Sequence, residues 1–298
     1  MSIYLAIDIG GSSIKYSCIN EECQLSHKGR TDTPRDSKEN LFKKIYEIVQ
    51  SIDENIEGIA ISMPGVIDRK NGFAYSGGAL EYLKDVDLVN ELELFLKKPV
   101  TICNDAKAAT YAELGFGNLK GVKNGLILVL GTGIGGGIVI NGDVYEGSHF
   151  ASGEVSSING NLERNCDYFY TFSGTNGIYG LSKEILKQTG EENLSGIEIF
   201  KRIREGDINV LKGVEIFCKN LAFHIFNLQA ILDVDCILIG GGISEEPMLI
   251  DILKEKVKYQ FENQWNVIVC PEIKACRYNN DSNLIGAFYN FQLIKKLI

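Results

Sequence analysis

Apolar residues recur along this chain in two alternating rhythms, continuous short runs and helical spacing. Ile3–Ile9 is apolar but for Asp8 and reads as a strand that turns at Gly10-Gly11. Ser12–Ile19 reads as a second strand, Asn20-Glu21-Glu22 as a turn, and Gln24–Arg30 as a third strand. Within Ser37–Gln50, Leu41, Ile45, Ile48 and Val49 take helix spacing. Gly58–Met63 is a buried strand closed by Pro64-Gly65, and Val86–Leu96 is a second helix. Val100–Cys103 is a strand that stops at Asn104-Asp105, where a helix from Ala106 to about Gly115 opens. Gly117–Asn124 is a glycine-bearing connector and a candidate domain boundary.

The densest pattern is Leu126–Ile140, where an apolar run enters a glycine cluster and a second apolar run leaves it. Seven glycines and no charge fall from Gly125 to Gly142. A membrane helix fits poorly, since each glycine costs a helix roughly 1 kcal/mol. Gly131-x-Gly133-x-x-Gly136 matches a dinucleotide-binding turn, but that motif needs a helix next, and Ile138-Val139-Ile140-Asn141-Gly142 is β-branched and then turn-like. A β-hairpin whose tip offers bare backbone N–H groups to an anion is the preferred reading.

Beyond it, Gly147–Glu154 is a small-residue loop, and Ser156–Asp167 has no periodicity. Ser173–Gln188, Gly196–Glu205 and Asn209–Leu232 read as helices. Cys236–Ile239 is a strand ending in Gly240-Gly241-Gly242; Met248–Phe261 is helical, Val267–Val269 a strand, and Leu284–Leu297 a closing helix. Alternating strands and helices make the chain α/β. The two glycine hairpins share a layout, which points to an internal duplication.

The 298 residues suffice for two domains, and 45% hydrophobic with 23% charged residues describes a globular protein. A net charge of −9 disfavours nucleic acid and anionic membranes as partners. A polyphosphate would have to be bound by local devices: glycine amides, helix N-termini and a divalent metal. Met1 leads straight into the first strand without a signal peptide, so a cytoplasmic chain is expected. Eight cysteines without C-x-x-C spacing indicate neither a structural zinc site nor a redox motif, and small core residues are the expected role.

Asp8 interrupts a buried strand just before the first glycine turn, where a carboxylate is costly unless paired or near a metal. It is the candidate for orienting Mg²⁺ or its water shell, and Lys15 for neutralising a phosphate. Asn104-Asp105 fits a helix cap; its functional reading makes Asp105 the general base toward a substrate hydroxyl and Asn104 a hydrogen-bond partner of a neighbouring one. Glu154, alone among small residues, could accept hydrogen bonds from a polyol, or be an exposed loop acid. His149 has no acid or cysteine beside it and reads as structural. Gly240-Gly241-Gly242 is either a tight turn or the floor under an adenosine.

Asp8-Ile9-Gly10-Gly11-Ser12 with Lys15, Met63-Pro64-Gly65-Val66-Ile67-Asp68, Asn104-Asp105-Ala106, Leu130–Gly137 and Ile239–Gly242 stand in the order of the ROK family of sugar kinases, which the whole chain resembles. The resemblance implies two RNase H-like domains of the actin/hexokinase superfamily around a central cleft. Residues 1–116 with a closing helix at 283–298 would bind sugar, and residues 117–282 nucleotide. It implies ATP with Mg²⁺, closure that excludes water, and Asp105 taking the proton of a sugar hydroxyl, usually the 6-OH. Asn104 and Glu154 would hold ring hydroxyls, and Gly65, Gly77 and Gly78 would line the sugar pocket. Gly10, Gly11, Ser12, Gly131, Thr132, Gly133, Gly241 and Gly242 would serve ATP. A homodimer is also implied.

The departures are specific. Most members carry a His and a C-x-C-G-x-x-G-C zinc cluster after Gly-Glu. Here Ser157 stands near the His position, Cys166 is the one cysteine nearby, and Phe169 or a neighbour replaces a further Glu. The expectation is no zinc, few polar groups at the anomeric carbon, and an aromatic wall of Tyr168, Phe169 and Tyr170. This resembles the zinc-free β-glucoside kinases, which phosphorylate the 6-OH of cellobiose and related β-glucosides. The alternatives are a glucokinase, fructokinase or amino-sugar kinase. In another class stand a sugar-sensing regulator, which would add an N-terminal helix-turn-helix, and a nicotinamide dehydrogenase.

Overall fold

The computed structural model describes residues 2–160, 167–192, 194–265 and 267–296. They divide into two compact units, one of residues 1–120, 146–152 and 280–298, the other of residues 121–145 and 153–279.

The first unit runs β1 (Ile3–Ile9), β2 (Ser13–Asn20), β3 (Leu25–Asp32), α1 (Lys38–Gln50), β4 (Ile56–Met63), a short ladder of β5 (Ile67–Asp68) and β6 (Phe73–Ala74), α2 (Leu88–Leu96), β7 (Val100–Asn104) and α3 (Asp105–Phe116). Its sheet has the order β3-β2-β1-β4-β7, with β1–β2 and β2–β3 antiparallel and β1–β4 and β4–β7 parallel. The parallel strands are apolar almost throughout because both faces are covered. Ser37 caps α1 by accepting the Asn40 amide, and Leu41, Phe42, Ile45, Ile48 and Val49 form its buried face.

The second unit runs β8 (Gly125–Leu130), β9 (Ile134–Ile140), β10 (Asp143–Tyr145), α4 (Phe172–Asn176), α5 (Ile178–Thr189), α6 (Gly196–Arg204), α7 (Ile208–Leu232), β11 (Cys236–Gly240), α8 (Pro247–Glu262) and β12 (Glu272–Ala275). Its order, β10-β9-β8-β11-β12, repeats the first unit's strand for strand, with β8–β9 antiparallel and β8–β11 and β11–β12 parallel. The closing helix α9 (Ser282–Ile294) belongs to the first unit, where Phe288 and Phe291 lie 5.2 and 5.3 Å from the Tyr4 ring.

The structure corrects two elements. Val267–Val269 is not a strand: Val267 and Val269 are 98% and 70% exposed, and the chain pairs with β11 only at Glu272–Ala275. The helix expected over Ser173–Gln188 is broken at Gly177, where a side chain would meet the Thr132 carbonyl at 2.5 Å. Among the described residues no helix is long and apolar enough to cross a membrane.

Candidate active site

In the first unit the β1–β2 register sets Asp8 opposite Lys15, and the β1–β4 and β4–β7 registers continue that row through Ser62 to Cys103. Opposed residues share a face of the sheet. Asp8 is half-buried; its Oδ1 accepts hydrogen bonds from Ser62 Oγ (2.8 Å) and Asn283 Nδ2 (3.0 Å). Oδ2 has no hydrogen-bond partner among the described residues. The tip between the strands is closed by the Gly10 amide donating to Ser13 O (2.9 Å). Thr33 Oγ1 and Arg35 Nε donate to the Gly10 and Gly11 carbonyls, and Ser12 is exposed.

Beside this tip lie the loops after β4 and β6. A Cβ on Gly11 would touch Ala79 at 3.4 Å. Gly65 has φ +113° and lies so close to the Ser76 carbonyl and the Gly78 amide that only a glycine fits. Asn104 Nδ2 donates to Gly65 O (2.9 Å), while its Oδ1 accepts the Lys107 amide (3.1 Å) and caps α3. Asn104 thus takes the capping role and also anchors the Gly65 loop. Asp105 is the first residue of α3, and its Oδ1 accepts the Ala106 amide at 2.8 Å. The structure therefore gathers Gly10, Gly11, Gly65, Gly77, Gly78, Asn104 and Asp105 at one end of the sheet, the carboxyl end of β1, β4 and β7. The buried thiol of Cys103 registers the charges gathered there. Burial pushes it up, Arg69 lowers it, and Asp105, Glu146 and Asp8 each raise it further.

Three site residues escaped the sequence reading. Arg69 is 6% exposed, donates from Nε to Glu146 Oε1 (3.1 Å) and from Nη1 to Asn290 (3.3 Å), and stacks over the Tyr111 ring. Lys107, 3% exposed, reaches Phe150 O at 2.5 Å. These two cations bind residues 146–152 onto the first unit, helped by Phe150 stacked on Tyr75. Burial pushes the Glu146 carboxyl up, and Arg69, Lys107 and Lys70 oppose that. A lysine among the alanines of α3 was the available signal; Arg69 and Glu146 are 77 residues apart and gave none. His149 is exposed on the same segment.

In the second unit, Gly131–Gly133 forms the tip between β8 and β9, closed by the Gly131 amide donating to Gly133 O (2.9 Å). A strand follows, so the dinucleotide-binding turn is excluded. Ser173 Oγ accepts the Ile134 amide (2.8 Å), the Ile178 amide donates to Gly131 O (2.9 Å), and Thr132 is exposed. Gly241 has φ +93° and lies against the Leu130 carbonyl, which accounts for it as a turn residue. Gly242 faces open space, so no steric demand accounts for it. It borders a cavity of about 540 Å³ lined by Ile178, Leu181, Ile199, Phe200 and Ile243. Glu154 is exposed and without a hydrogen-bond partner among the described residues.

A model of the ROK family matches residues 4–294. The chain belongs to the ROK family. An N-acetyl-D-glucosamine kinase of Photobacterium profundum is 28% identical over 96% of this chain and 98% of its own. A β-glucoside kinase of Listeria monocytogenes is 28% identical over 96% of each. A ROK family protein of Streptococcus pneumoniae, solved with sucrose, superposes with a TM-score of 0.87 at 27% identity, over 99% of this chain and 100% of that one. The protein is thus a ROK sugar kinase, with the actin/hexokinase-type fold.

Ser157 and Tyr168–Tyr170 lie in the second unit. Tyr168 and Phe169 are 49% and 47% exposed on one 3₁₀ turn, and Phe169 packs on Tyr179 (5.2 Å). Ser157 is exposed. Cys166 lies outside the described residues.

Proposed function

We propose that this sugar kinase transfers the γ-phosphoryl group of ATP to the 6-hydroxyl of a β-glucoside such as cellobiose, with Asp105 as general base. The observation that carries the reading is the placement of Asp105 in the same array as Asp8, Lys15 and the Gly65 and Gly77-Gly78 loops. The sugar oxygen attacks the γ-phosphorus, the bond to the β–γ bridging oxygen breaks, ADP leaves, and the hydroxyl proton passes to the Asp105 carboxylate. Such a transfer asks the protein for orientation, a proton acceptor and charge neutralisation. The α3 amide on Asp105 Oδ1 fixes the carboxylate's orientation. Asn104 and Glu154 bind ring hydroxyls.

In the first unit the bare tip Gly10-Gly11-Ser12 serves the phosphates, with Lys15 as counter-charge; in the second unit the bare tip Gly131-Thr132-Gly133 has the same role. Gly241 and Gly242 floor the nucleoside, and the apolar cavity beside Gly242 suits an adenine ring. Magnesium prefers few carboxylates and retained waters, so the open Oδ2 of Asp8 fits it through its water shell. When bound, the ion neutralises phosphate charge. The choice of a β-glucoside rests on the Tyr168–Tyr170 wall, where Tyr168 and Phe169 are exposed, and on the missing His, Glu and cysteine cluster, which also makes this sugar site zinc-free. We place the protein in the cytoplasm as a homodimer.

Asp105→Asn is the test. Turnover should fall by about 10²–10⁴-fold, the usual worth of a general base, with sugar binding by calorimetry largely kept. Near-normal turnover would remove Asp105 from the role.

A further inference from the structure

One cluster outside this machinery joins three classes of metal donor. The Cys18 thiol on β2, the His27 imidazole on β3 and the Glu54 carboxylate ahead of β4 each offer a ligand atom within 4.8 Å of the other two. We propose that Cys18, His27 and Glu54 form a site for zinc or a similar borderline-soft divalent metal, with a fourth position open to water.

The local fold builds it deliberately. The β2–β3 register shifts between Tyr16 and Cys18, and the bulge residue His27 takes φ +50°. A bulge re-aims a side chain, and this one turns the imidazole onto the face that Cys18 presents. A tetrahedral zinc ion with ligand bonds of about 2.0–2.3 Å spaces its donors roughly 3.3–3.8 Å apart. His27 Nδ1 and Glu54 Oε1 already stand 3.6 Å apart. The second carboxylate oxygen, Oε2 of Glu54, is shut off from solvent and has no hydrogen-bond partner among the described residues. A buried carboxylate oxygen left so is costly, and a cation removes the cost.

The thiol is fully buried while the His27 and Glu54 side chains are 54% and 34% exposed. The site therefore has a closed floor and an open mouth. Burial and the Glu54 charge push the Cys18 thiol up to about 11. It is no free nucleophile; binding the metal expels its proton and leaves a thiolate ligand. Cys18 sits opposite Leu5, three residues from Asp8 along β1, about 10 Å at strand spacing. The ion would thus act as a clasp between the edge strand β3 and the loop ahead of β4, apart from phosphoryl transfer. Its ligands belong to the first unit, whereas Ser157 and Tyr168–Tyr170 belong to the second. Spacing alone hid it, since the ligands come from positions 18, 27 and 54 with no C-x-x-C.

Cobalt(II) titration of the chelator-treated full chain tests this without reading kinase activity, so its failure leaves the kinase reading untouched. Expected are one equivalent bound, a thiolate-to-cobalt charge-transfer band, displacement of that band by zinc, and a higher unfolding temperature with zinc. The exposed-ligand variant His27→Ala and the isosteric Glu54→Gln should each weaken binding by more than about 100-fold, beyond the loss of an outer partner. Cys166→Ser should keep the band. No band in the wild type, an unchanged affinity in His27→Ala, or loss of the band in Cys166→Ser would each overturn the site.

Discussion

The two glycine hairpins share a frame and divide the chemistry. In the first, the positions facing each other below the tip are Asp8 and Lys15. In the second, the matching positions are Val129 and Gly135. One hairpin brings a carboxyl and an amino side chain to its tip and the other brings bare backbone. The surroundings follow suit. The first unit buries Arg69, bonded to Glu146 and Asn290, and Lys107, bonded to Phe150 O. The second is apolar around its hairpin, and its buried titratable His224 stacks on Phe172 at 4.1 Å with Nδ1 unpartnered among the described residues. The same strand order thus carries two differently furnished hairpins, and under the proposed function the first would meet phosphate with charge and the second with amides that only small residues leave open.

The sharpest way to break that contrast is Asp8→Asn. The amide oxygen still accepts from Ser62 and Asn283, so stability should hold. Turnover should drop by about 10²–10³-fold, as when one group stabilising transition-state charge is removed. A variant that unfolds more easily yet turns over normally would make Asp8 structural.

The second unit should respond to acid instead. Burial lowers His224 to about 4 from a usual 6.5. The unfolded chain then binds the proton more readily, so stability is full above pH 6.5 and is lost as pH falls toward 4, by roughly 3 kcal/mol. Denaturant titrations at several pH values should show this slope, and His224→Leu should flatten it. An unchanged slope in that variant would assign it elsewhere.

Smaller still is the effect expected of Gly136→Ala. Its Cβ would stand 2.5 Å from the Gly153 carbonyl and 3.2 Å from Val155. Crowding backbone in this way should cost about 1–3 kcal/mol in thermal unfolding. A neutral result would show that the hairpin's return strand needs no glycine there.

Most of this frame was legible from residue types. Glycine tips between apolar runs, Asp8 inside a strand and Asn104-Asp105 at a strand end mark local events, and each occurs where the pattern put it. What escaped depends on distant partners. Val267-Ile268-Val269 is a better strand by composition than Glu272–Ala275, yet the Glu272 amide bonds to Asp235 O and fixes the pairing later. Asn104 looked like either a cap or a ligand, and the structure gives it a capping bond and a bond to Gly65 together. Arg69 and Lys107 are buried, and their partners Glu146 and Phe150 are 77 and 43 residues away in sequence. Cys18, His27 and Glu54 come together only through a bulge that no spacing rule announces.

The acceptor decides the central claim. ATP consumption should be measured with glucose, cellobiose, fructose, N-acetylmannosamine and an aryl β-glucoside as acceptors. Turnover per unit KM should be highest for cellobiose or the aryl β-glucoside, with the product phosphorylated at the 6-OH. Free glucose or N-acetylmannosamine far ahead of both β-glucosides would contradict the account.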